Sequence, residues 1–132
     1  MHDTKGGIKT MESHAAKLWT TGAKNGVAYN FGLYRSASFF ITIGAVLTGG
    51  TLDGKLQWSA TENFSSATDD DGTTGNTYNI TQATAVGVAR MHVVRAFSES
   101  KPWLRAVMTV GTASVTFGVT FIGLPKVTPV SY

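Results

Sequence analysis

Residues Val107–Val119 read VMTVGTASVTFGV, and their alternation decides the fold class. With Gly111-Thr112 in a two-residue turn, glycine first as a type II′ turn prefers, Val110 stands opposite Ala113 and Met108 opposite Val115. Ala106 then meets Phe117, and Leu104 meets Val119. Every pair is apolar and all share one face. The other face pairs Thr109 with Ser114, Val107 with Thr116, Arg105 with Gly118 and Trp103 with Thr120. Period-two alternation of this kind is a strand signal, and one face of the ribbon needs burial.

Ala37–Thr61, ASFFITIGAVLTGGTLDGKLQWSAT, behaves the same way and offers two turns. A turn at Gly49-Gly50 pairs Leu47 with Leu52, Ala45 with Gly54, Ile43 with Leu56, Ile41 with Trp58 and Phe39 with Ala60. The opposite face then sets Thr42 against Gln57 and Phe40 against Ser59. A turn at Asp53-Gly54 instead sets Thr51 against Leu56 and mixes the faces. The first register is therefore expected.

Two ribbons, each apolar on one face, are satisfied by packing sheet on sheet. Further strands are expected at 27–34, around 78–81 and at 88–97. With roughly seven or eight strands and no helix-period segment longer than about two turns, the expected fold is all-β, an antiparallel β-sandwich of jelly-roll type. In VARMHVVRAF, Val88 to Phe97, neither parity is cleanly apolar, so either a bulge sits near Val93-Val94 or both faces are covered. Residues 1–26 carry isolated charges and glycines with little periodicity. They read as an extended N-terminal arm, with one or two helical turns at Met11–Trp19, ahead of a sandwich domain at 27–132.

The chain has 132 residues, enough for one domain with a substantial core. Charged residues make up 14%, against roughly a quarter in ordinary soluble domains, so much of the Ser/Thr-rich surface is expected to be covered by neighbours. There is no cysteine, which excludes disulfide and thiolate-metal chemistry. Net charge is +3 without a basic block, so direct nucleic-acid binding is not expected. No apolar run reaches the ~20 residues of a membrane span. The N-terminal residues lack an apolar signal core, so export by that route is not expected.

TDDDGTTGN, Thr68 to Asn76, lacks the ligand spacing of a calcium loop and reads as a solvated turn. His2, His14 and His92 show no spacing that converges on carboxylates, and no nucleophile or nucleotide-binding motif is present. No enzymatic activity, metal or cofactor is expected. The distinctive residues are Arg90, Arg95, Lys101, Trp103 and Arg105, on two consecutive strands joined by SESKP, together with Arg35. Tryptophan and arginine anchor protein interfaces, so these six are the candidate protein–protein contact; exposed snorkelling arginines are the plain alternative.

Three stretches carry a family resemblance. Lys55, Leu56, Gln57 and Ser59 form a K-L-Q-x-S strand after a glycine-rich turn. Trp103, Arg105, Val107, Thr109, Gly111 and Thr112 form an aromatic-x-R-x-V-x-T-x-G-T pattern, and Ile122, Gly123 and Pro125 close it. Over about Ser36 to Pro125 the chain resembles small virion proteins of tailed bacteriophages. The resemblance implies a cement, or decoration, protein of the phage head. Such a protein sits on the outer surface of the capsid, binds the major capsid protein and braces the shell as a homo-oligomer, a trimer by role. The alternatives are a tail- or fibre-associated adaptor and a carbohydrate-binding module that would stack sugars on Trp19, Trp58 or Trp103.

Overall fold

The computed structural model describes residues 8–126. They form ten strands: β1 (Lys9–Trp19), β2 (Gly22–Asn25), β3 (Tyr29–Asn30), β4 (Tyr34–Val46), β5 (Thr51–Ser59), β6 (Thr68–Asp69), β7 (Asn79–Ala83), β8 (Gly87–Val93), β9 (Trp103–Gly111) and β10 (Val115–Pro125). One 3₁₀ turn, Phe31–Leu33, precedes β4. All pairings are antiparallel. One sheet has the order β1-β10-β4-β8; the other runs β2-β9-β5, with β3 continuing along β9 and both β6 and β7 on the far side of β5. Thus β1 pairs with the last strand, β2 with the one before it, β4 with β8, and β5 with β6 and β7. First-with-last, second-with-penultimate pairing is the winding of a jelly roll. The two sheets form the sandwich expected from the alternation.

The inner faces are those the alternation marked. Phe39, Ile41 and Ile43 from β4, Leu52, Leu56 and Trp58 from β5, Leu104, Ala106, Met108 and Val110 from β9, and Val115, Phe117, Val119 and Phe121 from β10 are all buried. Burial of a large apolar side chain contributes roughly 1.5–3 kcal/mol, so these rows hold the sheets together. At one end the packing is aromatic: Tyr29 stacks on Phe121 at 4.0 Å between centroids, and Phe31 meets Trp58 edge-on at 5.7 Å.

The strand partners differ from the expected ones. Neither glycine corner closes a hairpin. Each carries the chain from one sheet to the other, so β4 and β5 face each other across the core, as do β9 and β10. Within the sheets β4 pairs with β10 and β5 with β9, Phe117 standing beside Ile43 and Leu56 beside Ala106. The two corners are joined, Leu47 N donating to Ser114 O over 3.2 Å. Gly49 takes φ +83° where the chain turns, but at the other corner the positive φ falls on Thr112, at 69°, and not on Gly111. A type II′ hairpin requires the reverse. Leu47, expected inside, is exposed at the corner, and Ala45 and Ala60, expected on the same face, are exposed as well.

The N-terminal segment is also different. Lys9–Trp19 is a strand along β10, without helical turns, and Gly22–Asn25 is a strand along β9, so both sheets take an edge from residues read as an arm. Only residues 1–7 of that arm lie outside the described residues. Two register shifts in β1 break its alternation, one on either side of His14. Polar and aromatic side chains fix it instead. His14 Nε2 donates to Lys24 O over 2.8 Å, and Ser13 Oγ lies 3.1 Å from His14 Nδ1. Tyr29 Oη donates to Glu12 O over 3.0 Å, and Trp19 stacks on Phe117 while its indole N–H donates to Ala15 O and Phe117 O. Gly26 is required here, because a Cβ would collide with Ser13 Oγ and His14 Cε1.

Three smaller corrections concern the remaining segments. The strand expected at 27–34 is reduced to Tyr29–Asn30 and the 3₁₀ turn. The strand expected at 88–97 is Gly87–Val93, and no bulge follows it. It ends because Asn76 Oδ1 accepts from Val94 N at 2.8 Å and from Arg95 N at 3.3 Å. With Arg95 outside the strand, the inner parity is simply Ala89, Met91 and Val93. TDDDGTTGN is a solvated turn only in part: Asp69, Asp71, Thr73 and Gly75 are exposed, but Asp70 is 5% exposed and accepts from the Trp58 indole, Gly72 N, Thr74 Oγ1 and Asn76 Nδ2.

Candidate functional site

The polar face of the opening stretch is divided by the corner at 111–112. Thr116, Gly118 and Thr120 lie on the outside of the four-stranded sheet, whereas Trp103, Arg105 and Thr109 lie on the outside of the other. The two outer faces are built differently.

Part of the outside of the six-stranded sheet is occupied by the chain itself. Residues 60–67 fold over it and bring Phe64 against Arg105, whose guanidinium lies 4.2 Å from the ring centroid. Arg105 Nε and Nη2 donate to Gln57 Oε1 at 3.0 and 2.8 Å. Gln57 Nε2 donates to Asp69 Oδ1 at 2.8 Å, and Lys55 Nζ to Asp69 Oδ2 at 3.1 Å. Partial burial pulls the Arg105 guanidinium below its ordinary pKa; the hydrogen bond from Gln57, then the Lys55 ammonium, hold the Asp69 carboxyl below its own. Lys101 Nζ donates to Thr68 Oγ1 over 2.7 Å.

The outside of the four-stranded sheet exposes Thr10, Glu12, Thr42, Val88 and Arg90, with Ser38 and Gly118 buried among them. Its register sets residues in rows across all four strands: Thr10, Ile122, Ser38 and His92; then Glu12, Thr120, Phe40 and Arg90. A third row holds Gly118, Thr42 and Val88. Ser38 Oγ and His92 Nδ1 are 2.8 Å apart, and Arg90 lies 5.8 Å from the Phe40 ring centroid. Val88 is 70% exposed and its neighbour Val86 69%. A shallow cavity of about 270 Å³ opens beside Thr10, Glu12, Thr42 and Thr120. Hydroxyls, aliphatic groups and one arginine over an aromatic ring suit broad protein contact.

The six candidate residues accordingly do not form one cluster. Strands β8 and β9 belong to different sheets, so Arg90 is separated from Trp103 and Arg105 by the core. Arg105 and Lys101 hold the chain's own loop. Arg35 and Arg95 line one cavity with Lys126 at one end of the sandwich. Of the tryptophans, Trp58 is fully buried and Trp19 is stacked on Phe117, which leaves the half-buried Trp103 on a strand. Asp70 and His14, read in the sequence as without a site role, are buried structural groups. Among the described residues no three His, Asp or Glu side chains gather as a metal site, and no helix is long and apolar enough to cross a membrane.

Compared with known proteins, the chain matches no family model and no curated protein.

Proposed function

We propose that this chain is a structural protein of a tailed-phage head, a cement protein that binds the outer surface of the capsid and bridges subunits of the major capsid protein. The observation that carries the reading is the contrast between the two outer faces. One is partly covered by Phe64, Arg105 and Gln57; the other carries two rows of hydroxyl, aliphatic, aromatic and charged groups across four strands and a third across three. The motif resemblance over Ser36 to Pro125 supplies the phage context. The four-stranded face is the adhesive one, and the chain acts mechanically. Many weak contacts, multiplied by an oligomer over a junction of shell subunits, give avidity without chemistry. A trimer suits that role.

Quantitative mass spectrometry of purified virions tests the proposal. Copy numbers in the hundreds, with particles lacking the chain losing their DNA at lower temperature, are expected. A handful of copies would assign the chain to the tail as an adaptor, and no copies would reject the virion reading.

A further inference from the structure

Where β4 begins and β8 and β10 end, Phe31, Val94 and Ala96 form part of the wall of a cavity of about 300 Å³, and Arg35, Arg95 and Lys126 stand around it. No acidic residue lines it, and among the described residues none of these three cations forms an ion pair. The wall is largely apolar: Phe31 and Tyr34 are buried and Val94 is 48% exposed.

The backbone carrying these groups is tied down from three directions. Asn76 holds the 94–95 segment, its Oδ1 accepting from both amides and its Nδ2 donating to Arg95 O over 3.0 Å. Phe31 N donates to Pro102 O over 2.9 Å, and Asn30 Oδ1 accepts from Gly32 N over 3.0 Å. Lys126 N donates to Leu33 O over 3.1 Å. Hydrogen bonds therefore hold the backbone of the cavity on each side.

We propose that this cavity is a docking site for an acidic peptide segment of a partner protein, one that inserts an apolar side chain between flanking carboxylates. Three like charges around one cavity repel one another, and carboxylates relieve that repulsion while arginine grips them through paired N–H groups. A small anion satisfies the cations and leaves the half-exposed Val94 uncovered. A neutral apolar segment covers the wall and leaves the cations uncompensated. An acidic segment with an apolar side chain meets both demands, and the volume suits one large side chain with its neighbours. The inference rests on the shell-binding reading for which protein donates the segment, and on the geometry alone for the binding.

The test titrates the ¹⁵N-labelled full chain with the peptide acetyl-Glu-Phe-Asp-amide, beside acetyl-Gln-Phe-Asn-amide and inorganic phosphate. The expected result is saturable shifts confined to 31–35, 94–96 and 126, with the neutral peptide and phosphate each weaker by about tenfold or more. The double variant Arg35→Gln, Arg95→Gln loses the binding, and Arg35→Lys with Arg95→Lys, which keeps the charge, retains part of it. Absent shifts, shifts elsewhere, or equal shifts with the neutral peptide or with phosphate overturn the proposal. Peptide binding without virion copies rejects the phage reading and leaves the cavity; virion copies without peptide binding do the reverse.

Discussion

The indole Nε1 of Trp58 donates to Oδ2 of Asp70 over 3.0 Å, and both side chains are buried. Trp58 lies on the inner row of β5, so its polar atom needs a partner at the margin of the core. Asp70 provides it and gathers Thr74 and Asn76 on the same carboxylate; Asn76 in turn holds Val94 and Arg95. Asp70→Asn presents an amide N–H₂ to groups that are themselves donors. The expected loss is about 2 kcal/mol in urea unfolding. An unchanged midpoint would contradict the role given to Asp70.

Acidification acts through His14. Burial lowers its pKa from 6.5 and outweighs the opposing hydrogen bond to the Lys24 carbonyl. The unfolded chain thus takes up a proton at a pH where the folded chain does not. Stability is full above about pH 6.5 and falls as the pH drops below it, until the folded pKa is reached. His14→Gln retains an N–H for Lys24 O and removes the titration. Melting temperature measured between about pH 7.5 and pH 5 should decline in the wild type and stay nearly level in the variant. Asp69 and Asp71, held below 3.8 mainly by Gln57 and Thr73, add their loss only at lower pH.

The two outer faces separate stability from binding. Arg105→Ala removes the contact with Phe64 and both hydrogen bonds to Gln57, and should cost about 1–2 kcal/mol. Arg90→Glu reverses a charge on the open face and should change stability by no more than about 0.5 kcal/mol. Capsid binding should show the opposite order, Arg90→Glu weakening it and Arg105→Ala sparing it. Equal effects of the two on binding would remove the assignment of the adhesive face.

Period-two alternation located the buried rows because parity is a local property: Met108, Phe117, Leu56 and Trp58 point inward whatever their strands pair with. It did not locate the partners. A hairpin and a corner between sheets keep the same parity, since residues beside each other in the one face each other across the core in the other. The N-terminal strand was illegible for a different reason. Its bulges on either side of His14 interrupt the period, and its anchors are a histidine, a tyrosine hydroxyl and an indole instead of an apolar row. The candidate cluster failed with the partners. Proximity of Arg90 to Arg105 assumed that consecutive strands pair, whereas Arg35 and Arg95 line one cavity because the β4–β8 pairing sets Ala37 beside Val93, far apart in sequence.

All of this depends on the corners at 49–50 and 111–112 carrying the chain between sheets. The chain has no cysteine, so introduced pairs are unambiguous. Phe40→Cys with Thr120→Cys places thiols on adjacent strands of the open face, at half-buried positions. Thr42→Cys with Gln57→Cys places them opposite each other in a hairpin, but on the two outer faces of the sandwich, more than about 10 Å apart, in the roll. Treatment of the folded protein with a short thiol cross-linker should join the first pair and leave the second free. Efficient joining of the second pair without the first would contradict the fold and the adhesive face built on it.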